Sequence, residues 1–150
     1  MSVRQIDLSP ELKQAGTRFG YGVAVVINVA MLIVVQQILG WGWLPFLTDG
    51  FAEVVPWISM SLIASIVANL VFQFNDTTTV KSTGQILVNL ISIFVTFQML
   101  LVFPFDFSAY TFSWEIVVRV VLVLAMVGAG IGALTEMIKL VSGEPDKERK

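Results

Sequence analysis

Arg119 is the residue whose type and setting most plainly suggest chemistry. It lies inside a long apolar stretch, with the carboxylate of Glu115 four residues before it on the same helical face. Counted from Trp114 at 1.5 Å per residue, it sits about 7 to 8 Å along the helix. A guanidinium at that depth in a bilayer costs a few kcal/mol unless it is paired or reaches outward to water. Asp49, Glu53 and Asp106 belong to the same layer of the chain, and Gln98 falls at comparable depth in the preceding stretch. Such a cluster admits three readings: an ion pair that anchors loops to a helix, recognition of a substrate or ion by charge-assisted hydrogen bonds, or simple snorkelling. The four acids also supply oxygen ligands of the kind a divalent cation needs. Acids gathered in loops are more often just solvated, so no metal site is assigned.

The inventory narrows the chemistry further. The chain has no histidine and no cysteine. The usual haem and zinc ligands, the commonest general base near neutral pH, and all thiol chemistry are therefore missing. No cofactor and no enzymatic activity are expected. A net charge of -2, with no basic run, gives no reason to expect nucleic acid as a partner.

The elements that position Arg119 are set by hydropathy. Four apolar stretches run over about residues 19–39, 54–74, 85–103 and 116–138, each close to the roughly 20 residues that cross a bilayer as a helix. Charged residues make up only 13% of the chain, about half the usual share of a soluble domain, so lipid rather than water is the expected surroundings. Arg4, Lys13 and Arg18 precede the first stretch, Lys81 lies between the second and third, and Lys139, Lys147, Arg149 and Lys150 close the sequence. The segments 40–53 and 104–115 contain no Lys or Arg. This alternation predicts both termini and the middle loop on the cytoplasmic side. Trp41, Trp43, Trp57 and Trp114 all fall at the predicted outer ends, where amphipathic rings favour the headgroup layer. The first eighteen residues mix Asp7 and Glu11 with bases, and no A-x-A-like site follows the first stretch, so it is expected to be retained rather than cleaved.

The expected fold is an all-α membrane protein, an antiparallel four-helix transmembrane bundle forming one domain over residues 1–150. Ser9-Pro10-Glu11 has the composition of a helix start. Residues 10–18 then form either an interfacial helix, together with Val3, Ile6 and Leu8, or a solvated lead-in. Residues 48–55 are expected as a short surface helix bending at Pro56, and Ser113 as the cap of the fourth span.

Inside the spans, association in lipid depends on small residues and polar contacts. Gly16, Gly20 and Ala24 lead to Asn28; Ser61 and Ser65 lead to Asn69; Asn89, Ser92 and Thr96 follow Gln85; Ala125, Ala129 and Ala133 run beside Gly128 and Gly132. These faces are expected to build the bundle interior, and Gly128 with Gly132 also suits a homodimer seam. Asn69 and Asn89 fall at similar depth across the second hairpin, where a mutual hydrogen bond would contribute roughly 0.6 to 2 kcal/mol. Asn28, nearer mid-membrane, needs a partner that spacing does not name. Glu136 with Lys139 reads as a surface ion pair of little energetic worth.

The segment Trp43-Leu44-Pro45-Phe46-Leu47-Thr48-Asp49-Gly50-Phe51, the Val55-Pro56 step and Val102-Phe103-Pro104-Phe105-Asp106-Phe107 give a layout that resembles small four-span bacterial integral membrane proteins with no assigned activity. The resemblance covers nearly the whole chain and implies a multi-pass protein of the bacterial inner membrane. Small multidrug resistance transporters are similar in length and span count, but they depend on an acid in the first span, where this chain has Asn28. Dual-topology fluoride channels are similar in size, but the basic bias here favours one orientation. The functional expectation is a structural or assembly component packing in an oligomer or a larger membrane complex. The alternative is a small oligomeric channel or transporter using Arg119 and the outer carboxylates.

Overall fold

A chain surrounded by hydrocarbon must satisfy its backbone N–H and C=O groups within itself, and for apolar runs without strand alternation the helix is the way to do so. The computed structural model describes residues 10–143 and contains four helices: α1 (Pro10–Trp41), α2 (Phe51–Phe74), α3 (Thr78–Val102) and α4 (Trp114–Ser142). Each is long and apolar enough to cross a membrane. Val3, Ile6, Leu8 and Ser9 lie outside the described residues.

The boundaries correct several sequence expectations. Residues 10–18 are the first turns of a continuous 32-residue α1. α2 begins at Phe51 and continues through Pro56, so residues 51–55 belong to it rather than to a separate surface helix. The proline removes only the hydrogen bond to the carbonyl of Ala52, in the first turn, where polar surroundings can satisfy it. Ser113 stands at the N-cap of α4, yet its hydroxyl makes no capping bond. α3 begins at Thr78, which places Lys81 in its first turn rather than in a loop and leaves only residues 75–77 to join α2 to α3. Gly42 and Gly143, at φ of 63° and 61°, take the left-handed conformation that ends α1 and α4.

α1 packs on α2, α2 on α3 and α3 on α4, while no pair of non-consecutive helices brings Cα atoms within 8 Å. A bundle would close by seating the first helix against the last. Here the described helices form an open row instead, as lipid permits, since apolar helix faces gain little by leaving it. Residue pairs across two of the three junctions run in opposite numerical order: Tyr21 meets Phe72 while Gln36 meets Ser59 on α2, and Trp57 meets Phe94 while Phe72 meets Gly84 on α3. Among the described residues a compact apolar core, Val35, Phe51 and Val54, lies where α1 ends and α2 begins, backed by Ile38, Leu62 and Val102.

Candidate functional site

The tryptophan-rich end is built by two connectors, residues 42–50 and 103–113, that hold each other. Thr48 N–H donates to the Pro104 carbonyl (3.1 Å) and Asp106 N–H to that of Phe46 (2.8 Å), flanking an antiparallel bridge between Leu47 and Phe105. The sequence dictates where α3 must stop. A residue before proline is driven out of the right-handed helical region, and Phe103 adopts a left-handed conformation (φ 40°, ψ 69°) ahead of the fully buried Pro104. For a side chain other than glycine this costs roughly 1–2 kcal/mol. It turns the ring of Phe103 beneath Arg119, whose Cζ lies 3.9 Å from the ring centroid.

From Phe103 the rings form a ladder. Phe103 meets Phe105 edge-on at 5.6 Å, Phe105 stacks on Phe107 at 6.0 Å, and Phe107 meets both Phe46 (5.7 Å) and Tyr110 (6.2 Å). Phe112 and Trp114 close the wall at 5.1 Å. Phe103, Phe105, Phe107, Tyr110, Phe112 and Trp114 border a cleft of about 430 Å³ that also receives Asp106 and Glu115. Asp106 accepts a hydrogen bond from Ser108 N–H at 2.9 Å, and that backbone bond holds its carboxyl below the usual carboxylate range.

Arg119 donates from both Nε (3.1 Å) and Nη2 (3.0 Å) to Oε1 of Glu115, so the i, i+4 pairing is formed, with both side chains about half exposed. Asp49 and Glu53 are exposed, and no ion pair joins them to Arg119 among the described residues. Gln98 is half-buried on α3 and makes no hydrogen bond to the guanidinium. Of the cluster drawn from the sequence, Arg119 and Glu115 are joined, Phe103 is added beneath the guanidinium, and Asp106 lines the adjoining cleft.

The intramembrane asparagines also settle differently. Asn69 and Asn89 are not a hydrogen-bonded pair. Asn69 donates to the Ser65 carbonyl and Asn28 to that of Ala24, each at 2.7 Å within its own helix. Asn89 instead sits against Gly132 of α4, where an added Cβ would be 2.8 Å from its amide nitrogen. Gly128 has nothing within 4 Å of that position, so it is not part of an interior.

The opposite end carries a side-chain arrangement that spacing did not reveal. Tyr21 of α1 donates its hydroxyl to Asp76 (2.8 Å), Lys81 pairs with the same carboxylate oxygen (3.3 Å), and its ammonium lies 5.5 Å from the Tyr21 ring centroid. The next residue, the buried Ser82, donates to Glu136 of α4 at 2.6 Å, and Lys139 binds the other oxygen of that carboxylate at 2.6 Å. Glu136 is only 17% exposed, so the pair with Lys139 is no plain surface ion pair. The available signal was polar residues at one end of every span, but their partners lie 54 and 55 residues apart.

No protein-family model, curated protein or solved structure matches the chain. Function has to be read from its own geometry. Among the described residues no group of three or more acidic side chains is arranged to hold a metal ion. What the two ends offer is a guanidinium seated on an aromatic ring, a half-enclosed aromatic cleft, and two sets of polar pins.

Proposed function

We propose that this chain is a multi-pass protein of a bacterial cell membrane, with antiparallel helices and both termini in the cytoplasm. In this reading it acts without catalysis, as a structural or assembly subunit that packs with further copies of itself or within a larger membrane complex. The observation that carries the reading is the open row. α1 and α4 do not meet, and Gly16 and Gly20 on α1 and Gly128 on α4 have open space where a side chain would stand. Small residues let helix backbones approach closely in lipid, so flanks of this kind suit a neighbouring helix. The alternation of basic residues supports the orientation, and four helices long and apolar enough to cross a membrane support the multi-pass setting.

The chain has no native cysteine, so one introduced thiol reports without ambiguity. A benzophenone attached at Gly128→Cys or Gly20→Cys in native membranes is expected to give a discrete product with the mass of two copies or of one copy plus a partner, whereas Ile63→Cys gives none. Monodisperse monomer in lipid nanodiscs, with no crosslink from either glycine position, would overturn the assignment. The channel or transporter reading is weaker, since Arg119 is engaged by Glu115 and Phe103 and the remaining outer carboxylates stand apart from it.

A further inference from the structure

The cleft between the end of α3 and the start of α4 has a chemical character of its own, independent of whether the chain assembles. At about 430 Å³ it falls in the size range of small-molecule sites, roughly 300 to 1,000 Å³. Its wall is the aromatic ladder, its polar groups include the carboxylates of Asp106 and Glu115, and no Lys or Arg lines it. The surrounding connectors and helix starts carry Asp49 and Glu53 as well, against the single guanidinium of Arg119. An anion would meet this field unfavourably. A hard metal ion would need six or more oxygens in place of ring faces. Ring faces and carboxylates together favour a soft, partly apolar cation. The molecule itself displays the preference, because the Phe103 ring already carries a guanidinium on its face at 3.9 Å. Ser108 N–H fixes the Asp106 carboxylate at the cleft, and Arg119 takes one oxygen of Glu115, which leaves the second oxygen of Glu115 for a further donor.

We propose that this cleft binds an alkylammonium group, held between the carboxylates of Asp106 and Glu115 and the aromatic faces beside them. The group can arrive on an ethanolamine or choline lipid headgroup or on a soluble amine, and both present the same chemistry. The full chain in phosphatidylglycerol nanodiscs is titrated with choline chloride and with ethanolamine hydrochloride, using sodium chloride at equal ionic strength as the control and tryptophan fluorescence as the signal. Trp114→Phe, which keeps an aromatic wall, identifies the reporting ring.

The expected result is saturable binding of at least one amine that sodium does not reproduce, and that the double variant Asp106→Asn, Glu115→Gln weakens about tenfold or more, equivalent to about 1.4 kcal/mol. Circular dichroism of the variant should match the parent, because both residues are exposed. Native mass spectrometry from nanodiscs containing phosphatidylethanolamine or phosphatidylcholine separates the sources. A retained zwitterionic lipid that blocks the soluble amine assigns the site to headgroups, and undiminished amine binding in those discs assigns it to soluble amines. Absence of saturable amine binding together with no retained zwitterionic lipid overturns the proposal, as does equal binding by parent and double variant.

Discussion

The two ends of this molecule solve the same problem, holding helix ends together, in different materials. At the tryptophan-rich end the connectors 42–50 and 103–113 are long enough to fold against each other. They use backbone hydrogen bonds, stacked rings and the apolar core around Val54. At the opposite end residues 75–77 leave nothing to fold, and side chains do the fastening: Tyr21 to Asp76 to Lys81, and Ser82 to Glu136 to Lys139. Where the connector is long the chain can spend backbone polarity; where it is short, polar side chains must be brought partly into the protein.

Truncations at the aromatic end should cost most. Phe51 is nearly fully buried in the apolar core between the end of α1 and the start of α2, so Phe51→Ala should destabilise by about 3 to 5 kcal/mol, read by chemical unfolding in detergent micelles. A loss below that of the polar-end variants would reverse the ranking of the two ends. Overpacking comes next. Gly84 faces Phe72 so closely that an added Cβ would lie 2.7 Å from the ring, and Gly84→Leu should cost about 1 to 3 kcal/mol by the same measurement.

Removing a polar pin has a similar or smaller effect. Ser82→Ala leaves one oxygen of Glu136 without its donor, for about 1 to 3 kcal/mol. A double-mutant cycle with Glu136→Gln should give a coupling well above zero, whereas additive losses would show that the two side chains act separately. Arg119→Lys keeps the charge but loses the two-nitrogen contact with Glu115 and the flat stacking on Phe103. At this half-exposed position the loss should be about 0.5 to 1 kcal/mol.

The smallest effect is a titration. Asp106 should titrate below an ordinary aspartate in carboxyl-resolved NMR. A lowered folded-state value means that its contribution to stability is complete above the unfolded carboxylate pKa and disappears as pH falls through the folded one. Ser108→Pro removes the N–H that Asp106 accepts and should return the midpoint toward the usual value.

The helices were readable because hydropathy acts locally: each span shows as an apolar run whatever its neighbours do. The i, i+4 pair of Glu115 and Arg119 was readable for the same reason. Asn69 and Asn89 were not, because depth alone cannot tell an amide that crosses to a neighbour from one that donates to the carbonyl four residues back in its own helix. The pins of Tyr21 and Ser82 depend on which helices lie side by side, and a tyrosine at the edge of an apolar run gives no sign of its partner. Phe103 could have been suspected from the proline after it, though its seat under Arg119 required the turn itself.

Lys81 and Ser82 are consecutive, yet one reaches toward the α1 side and the other toward α4. Successive residues of a helix point about 100° apart, so α3 reaches Tyr21 of α1 and Glu136 of α4 from a single turn. Rotating that helix about its axis, or sliding it by one residue, would withdraw both hands at once. The rotational setting of α3 is therefore shared by both contacts, and a change that disturbs one should be felt at the other.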